Sequence, residues 1–385
     1  MLQAADWPQW RGPNRDGTTA ETEWSHQWKG EPKLAWKASV GIGFSSIAVA
    51  GGSAYTQGHV AGSNLLWCLN ADTGNQQWTF AHPEGLMANQ FEGGPTSTPL
   101  VADGRVYFAS RMGVVHCLDA RSGVVIWTQA MTKATALKPR NWGLNSSPLI
   151  AGGKLLLNWG TAGVALDPTD GRLVWLTGKD EWSYTSLVPG DWNQQKVIFV
   201  AAADQLVAVN LSDGIIRWSE PFHVGLKGSD PVRVGDGVFF GANETGGAYI
   251  RFGGEKPTVV WNKPNLGTFT GGAVLVNGFL YAILSNKNDK GELGCVDPAT
   301  GNIRWSQGGF GWGSLLAAGD RLLVLSVRGE LSVLKASSAK AEVLARAQIL
   351  GGKCWTMPAL ADGRLYARNG KGDLVCLDLR PTNAQ

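Results

Sequence analysis

A chain of 385 residues has room for two or three ordinary domains or for one large repetitive β domain; 52 glycines, 18 tryptophans and no stretch of sustained helical periodicity favour the latter. The formal charge of +3, from 34 basic and 31 acidic residues with no Lys/Arg run, makes no field of the kind that tracks phosphates, which argues against nucleic acid as a partner. No apolar segment approaches the roughly 20 residues needed to cross a bilayer, so no transmembrane segment is expected, and the start, MLQAADWPQW, has neither the basic nor the apolar region of an export signal.

The first expected strand is PKLAWKASV, from Pro32 to Val40, with Trp36 at its centre and no hairpin partner beside it in sequence. From Ile47 onward one phrase recurs: an apolar run, a two-residue turn rich in glycine, and a second apolar run. It begins at Ile47 (IAVAGGSAYT), Pro99 (PLVADGRVYF), Pro148 (PLIAGGKLLL), Leu187 in an expanded form, Pro231 (PVRVGDGVFF), Ala273 (AVLVNGFLYA), Leu315 (LLAAGDRLLV) and Pro358 (PALADGRLYA). Asp-Gly, Gly-Gly and Asn-Gly pairs between β runs are the strongest short hairpin signal.

A second phrase alternates with the first: Asp or Asn, two free positions, Thr, Ser or Asp, then Gly, three residues and Trp. It runs from Asn70 to Trp78, Asp119 to Trp127, Asp167 to Trp175, Asn210 to Trp218 and Asp297 to Trp305. The Asp or Asn side chain can bond the backbone of a turn that Gly closes with a positive φ. The constant offset from Gly to Trp aims every indole at the same side of its sheet.

Eight units averaging about 44 residues, each reading as four short strands, predict an all-β, eight-bladed β-propeller of four-stranded antiparallel blades. A pair of β-sandwiches, the alternative, would not repeat one hairpin at near-constant spacing. The last unit, GDLVCLDLR from Gly372, stops where its outermost strand belongs. The orphan strand at 32–40 is expected to supply it, closing the ring and covering strand edges. The expected organisation is an N-terminal extension (1–31) packing on the propeller, a single propeller over 32–380 and a tail at 381–385. Trp36, Trp78, Trp127, Trp175, Trp218, Trp261 and Trp305 take seven of the eight outer docking positions, while the eighth, near Leu344, has lost its Trp. The fifth unit is irregular, with seven residues instead of three between Gly253 and Trp261.

Phrases such as HCLDARSGVVIW, from His116 to Trp127, resemble the tryptophan-docking repeat of pyrroloquinoline-quinone (PQQ) type propellers, a family that includes quinoprotein alcohol dehydrogenases and the outer-membrane-assembly lipoprotein BamB. DWPQWRGPNRDG, GFGWGSLLAAGDRLLVLSVRGEL and GGKCWTMPALADGRLYARN are similar to the smaller exported, BamB-like bacterial members, over nearly the whole chain from Asp6. The resemblance implies the propeller fold and an extracytoplasmic location, periplasmic or secreted, reached after removal of an export signal. It does not imply one function, because a propeller hosts many.

In such a ring the stereotyped turns fall on one face and the irregular connections on the other, where function usually sits. Trp142, Trp182, Trp312 and Trp355 recur just before innermost strands on the irregular face, with Glu92, Arg140, Asn145, Glu181 and Asp230 nearby. These are the candidate binding residues of a channel mouth, aromatic platforms with a few convergent polar groups, although rings there could equally be packing that plugs the funnel. As a site they suit a protein segment or a small flat or sugar-like ligand. His26, His59, His82, His116 and His223 are scattered without metal-ligand spacing, and no catalytic residue is assigned. Cys68, Cys117, Cys295 and Cys376 occupy one repeat position, which a ring holds too far apart for disulfides, so they read as core. Cys354 alone stands near the mouth. Trp192, in the expanded hairpin VPGDWNQQKVIF, reads as an interaction knob or as a loop packing over its own blade.

The leading expectation is a monomeric binding or protein-interaction scaffold without a cofactor. The alternative is a PQQ-dependent alcohol or sugar dehydrogenase. The resemblance implies that such an enzyme holds its quinone between a Trp and an adjacent-cysteine disulfide, with calcium on acidic and amide groups of the type of Glu92, Asn145 and Asp230. No Cys-Cys pair is present. A third reading is a carbohydrate-active hydrolase or lyase using Glu92, Glu181 and Asp230.

Overall fold

The structure is a computed structural model that describes residues 6–381 except 29, 88–90, 140–141, 180–182, 226–227, 244 and 286–290, with the side chains of 269 and 270 also left aside. The chain forms eight antiparallel sheets, each built on four strands running outward from the channel. The first blade, for example, runs through Ala48–Ala50, Ser53–Val60, Ser63–Asn70 and Gln76–Pro83. The protein is an eight-bladed propeller, as the repeat predicts. Its ring is closed by Lys33–Ser39, which pairs antiparallel with Asp373–Asp378 and sets Trp36 opposite Cys376. The eighth blade thus takes three strands from the C-terminal end and its outermost from the N-terminal end.

Every outer strand carries a β-bulge at one place. In the first blade Gln76 faces Leu69 and Trp78 faces Cys68, so Gln77 has no partner of its own. The same register shift recurs in the other seven blades. A bulge bends and twists its strand; here it coincides with an indole that reaches across to the next blade. The Trp36 ring lies on Gly74, where φ is +72° and a Cβ would fall 2.6 Å from the ring. Its Nε1–H donates to the Ala71 carbonyl at 2.9 Å. Trp78 sits on Gly123, Trp127 on Gly171, Trp175 on Gly214 and Trp261 on Gly301 in the same way. The turn glycine is therefore doubly required, by its backbone conformation and by the ring that covers it. The turn itself is pinned as expected, with Asn70 Oδ1 accepting from the N–H groups of Asp72 (3.0 Å) and Thr73 (2.9 Å).

The missing eighth tryptophan has a topological reason. In the seventh blade Ala345, one residue beyond Leu344, faces Val333 at the position Trp takes elsewhere. The indole of one blade docks on the turn between the third and fourth strands of the next. In the eighth blade that turn does not exist, because the fourth strand comes from the other end of the chain. Trp24, Trp28 and Ala345 pack instead against one shared apolar cluster spanning the seventh, eighth and first blades.

Two irregularities of the repeat compensate each other. Trp218 meets Phe252 edge-to-face at 5.2 Å where five other indoles meet a turn glycine. Phe252 also packs on Phe199 (4.6 Å) and Trp192 (5.9 Å), and Trp192 Nε1–H reaches the Gly254 carbonyl at 3.4 Å. The expanded hairpin of the fourth blade therefore lies over the lengthened turn of the fifth, a neighbouring blade and not its own.

Candidate functional site

The site begins with the N-terminal segment. DWPQWRGPNRDG winds through successive tight turns, with Gly12 N–H on the Gln9 carbonyl (3.1 Å) and Arg15 N–H on the Gly12 carbonyl (3.1 Å). From this coil, groups reach the innermost strands around the channel. Trp7 exchanges backbone hydrogen bonds of 2.8 Å with Val49 in the first blade, and the Pro8 carbonyl accepts from Val101 N–H in the second at 2.8 Å. Arg15 donates to the carbonyls of Pro148 (2.8 Å) and Ser147 (3.2 Å) in the third, and Arg11 to that of Ala273 in the sixth. Thr18–Thr19 pair in parallel with Ala317 and Ala318 in the seventh. Trp7, Arg11 and Arg15 are at most 3% exposed. The segment is a plug that closes the channel.

Above the plug, the residues two places before the innermost strands form a belt. Met357 N–H donates to Ser46 Oγ (3.1 Å), Ser46 N–H to Thr98 Oγ1 (3.2 Å), and Thr98 N–H to Ser147 Oγ (3.0 Å). Ser186 N–H donates to Asp230 Oδ1 at 2.6 Å, so in the fifth blade a carboxylate takes the place of the hydroxyl. That carboxylate also receives the Trp10 Nε1–H and lies 3.9 Å from Arg11 Nε. Burial pushes the Arg15 guanidinium down to about 10, against the attraction of Asp230. The floor holds Arg11 and Arg15 against Asp230 and Asp16, two charges of each sign.

Plug and belt make the base of a blind cup of about 280 Å³ on the irregular face. Six half-buried aromatic side chains line it: Trp10, Phe44, Phe91, Trp142, Tyr184 and Trp355. Five form an arc, Trp355–Phe44 at 5.4 Å, Phe44–Phe91 at 5.6 Å, Phe91–Trp142 at 6.2 Å and Trp142–Tyr184 at 5.9 Å between ring centres. The Tyr184 hydroxyl accepts from Trp142 N–H at 3.2 Å. Asn145 Oδ1 accepts from Thr96 Oγ1 at 2.6 Å, and its Nδ2 donates to the Trp142 carbonyl at 3.0 Å.

Of the residues singled out in the sequence, Trp142, Asn145, Asp230 and Trp355 come together in this cup. Glu92 stands beside it, 3.0 Å from Lys353 Nζ, which itself lies 4.6 Å over the Trp355 ring. Against the upward push of partial burial, the backbone and Lys353 hold Glu92 below the usual carboxylate range. Trp312 is half-buried and does not line the cup. Arg140, Glu181 and Trp182 lie outside the described residues. Sequence reasoning missed Trp10, Phe44, Phe91, Tyr184 and the belt. The belt had a partial signal, Thr98, Ser147 and Asp230 standing directly before Pro99, Pro148 and Pro231.

All five cysteines are free and buried, and burial pushes the Cys354 thiol up to about 12, far from a reactive thiolate. Three of the histidines that look scattered in sequence meet at the seam of the first two blades. His116 Nε2 is 3.2 Å from His82 Nδ1, His82 Nε2 is 3.6 Å from Glu84, and Asn64 links Glu84 (3.0 Å) to His59 (3.0 Å). Arg111 completes the network, 3.7 Å from Glu84. Among the described residues, no group of three or more His, Cys, Asp or Glu could hold a metal ion.

With blades, docking indoles and mouth in place, a comparison with protein families decides the kinship: the model for the outer membrane protein assembly factor BamB matches residues 15–181, 62–307 and 289–384, spanning nearly the whole chain. The chain belongs to the BamB-like PQQ-repeat propeller family. Comparison with curated proteins finds no match. Among solved structures, BamB from Moraxella catarrhalis is 14% identical, with 90% of this chain and all of that one covered, at a TM-score of 0.67. A europium-containing methanol dehydrogenase is 13% identical, with 94% and 89% covered and a TM-score of 0.70. The computationally designed Ika8 protein is 12% identical, with 90% and 100% covered and a TM-score of 0.67. At these identities the likenesses show the fold.

The cup of this BamB-like propeller does not fit a quinone-and-calcium pair among its described residues. Its lining carboxylate, Asp230, is already taken by Trp10, Ser186 and Arg11, and Asn145 Oδ1 by Thr96. No cysteine lines it. An anionic quinone would also meet a floor whose cations are already matched by carboxylates.

Proposed function

We propose that this protein is an extracytoplasmic binding module whose blind cup takes a small, uncharged, ring-bearing group, either free or presented by a partner. Kinship with BamB-like propellers supports the location. The observation that carries the reading is the convergence of six half-buried aromatic side chains on one cavity whose charged groups are paired with one another. Partly exposed aromatic rings gathered in one concavity mark a binding site more often than packing, because packing would bury them. The plug argues against a threaded chain, since the channel is closed beneath the cup.

A fragment screen by ligand-observed NMR tests this. At least one neutral ring compound should bind, and Trp142→Ala should abolish that binding while leaving the circular dichroism spectrum unchanged. In parallel, protein equilibrated with PQQ and calcium should retain no chromophore and oxidise no alcohol in a dye-linked assay. Stoichiometric retention with turnover would overturn the proposal in favour of a dehydrogenase.

A further inference from the structure

We infer that the group held in the cup is an uncharged pyranose ring, a free monosaccharide or the terminal sugar of a glycan. This rests on the binding reading above and adds the chemical class of the ligand. Three observations carry it.

The first is the division of the cup by chemistry. Its wall is the aromatic arc from Trp355 to Tyr184, while its base is the hydroxyl belt with Asn145. A pyranose is divided in the same way, with C–H groups on the faces of the ring and hydroxyls around its edge. Its faces suit aromatic platforms, and its edge hydroxyls suit groups that both donate and accept.

The second is the unused hydrogen-bonding capacity of that base. Ser46 Oγ and Ser147 Oγ accept backbone N–H groups at 3.1 and 3.0 Å, and neither hydroxyl has an acceptor of its own among the described residues. Ser186 Oγ lines the cup with no hydrogen-bond partner among the described residues, its backbone N–H alone being engaged, with Asp230. Asn145 Nδ2 uses one of its two hydrogens on the Trp142 carbonyl. An aromatic or aliphatic side chain of a peptide would cover these groups and leave them unpaired, which is costly. A polyol pairs them.

The third is charge. Arg11 and Arg15 face Asp230 and Asp16 in the floor, Lys353 and, farther off, Lys371 face Glu92 at the rim, and Asp230, the one ion among the described residues that line the cup, is thus already matched. A uronate, a sugar phosphate or an amino sugar would arrive without a counter-charge. The volume of about 280 Å³ admits one ring and excludes a folded oligosaccharide.

Saturation-transfer NMR on the full-length protein tests the inference, with methyl glucoside, galactoside, mannoside and N-acetylglucosaminide as neutral probes, methyl glucuronide as a charged one, and N-acetyl-tryptophanamide as a side-chain mimic. At least one neutral pyranoside should receive saturation. That signal should vanish in Trp142→Ala and weaken about three- to tenfold in affinity in Ser186→Ala, which removes one hydrogen bond and disturbs no bond of the fold. The glucuronide should bind less well than its neutral counterpart. If no neutral pyranoside binds, or if Trp142→Ala leaves its binding intact, the inference falls. Binding of the tryptophanamide alone, lost in Trp142→Ala, would overturn the sugar and leave the binding module standing. Silence from every probe would overturn both.

Discussion

Single side chains carry the cost of closing this ring. Arg368 is fully buried and has no carboxylate partner among the described residues; its guanidinium donates to Gly41 O (2.8 Å), Gly43 O (3.0 Å) and Thr56 Oγ1 (3.0 Å). It ties the last blade to the connector that follows the closing strand, and burial pushes its pKa down to about 9. His116 is the second buried titratable group of consequence, and it is held neutral. Stacked on Phe108 at 4.7 Å and facing His82, it is pushed by burial from the ordinary 6.5 down to about 3. A histidine whose folded pKa is depressed is protonated first in the unfolded chain. Its contribution is therefore level above pH 6.5 and turns destabilising as pH falls from there toward about 3. By pH 5 this one group should cost about 2 kcal/mol. Urea unfolding at pH 7.5 and 5.0 checks it: His116→Val, the residue at the matching position of the last blade, should lose markedly less stability on acidification than the unaltered protein. Equal losses would assign the acid sensitivity elsewhere. Neither Arg368 nor His116 was legible as special in the sequence, because both sit at ordinary strand positions and only neighbouring blades make them buried titratable groups.

Among the elements, the plug and the closing strand are separable, since they engage different parts of the ring. Residues 6–19 touch the innermost strands, whereas Lys33–Ser39 completes an outer edge. Removing everything before Pro32 should leave a propeller that still melts cooperatively, with a Tm lower by about 10 °C from the lost burial of Trp7 and the stranding of Asp230. Scanning calorimetry would show it; an unchanged Tm would mean the plug is not part of the folded unit. The hairpin elements were readable because their signals are local: Gly at a positive φ, Asp or Asn two residues ahead of the N–H it binds, apolar alternation. The bulge before each tryptophan was not, since an unpaired residue in one strand is defined by the partner strand. The lengthened turn of the fifth blade looked like a defect, and becomes intelligible only beside the expanded hairpin of the fourth.

For the whole molecule, closure is the step on which the rest depends. A chain beginning at Val40 would leave Asp373–Asp378 as an open edge and the turn at Ala71 and Gly74 without its indole. Such a chain should lose the single cooperative transition and aggregate, in contrast to the one beginning at Pro32. A cooperative melt near that of the longer chain would show that the ring closes without its borrowed strand. The sequence by itself determined the eight repeats, the seven docking indoles and the borrowed strand, because each follows from short-range periodicity and from one phrase cut in two. Half of the mouth could be read in the same way, as Trp142, Asn145, Asp230 and Trp355 lie on connections that lead into innermost strands. What only the tertiary structure decided is the cup itself. Its floor joins residues near the N-terminus to the belt and Asp230, and its walls come from five segments up to 345 positions later in the chain, Trp10 to Trp355. No local pattern records which of many exposed aromatics will face a common centre; that is set when eight sheets close around a plug.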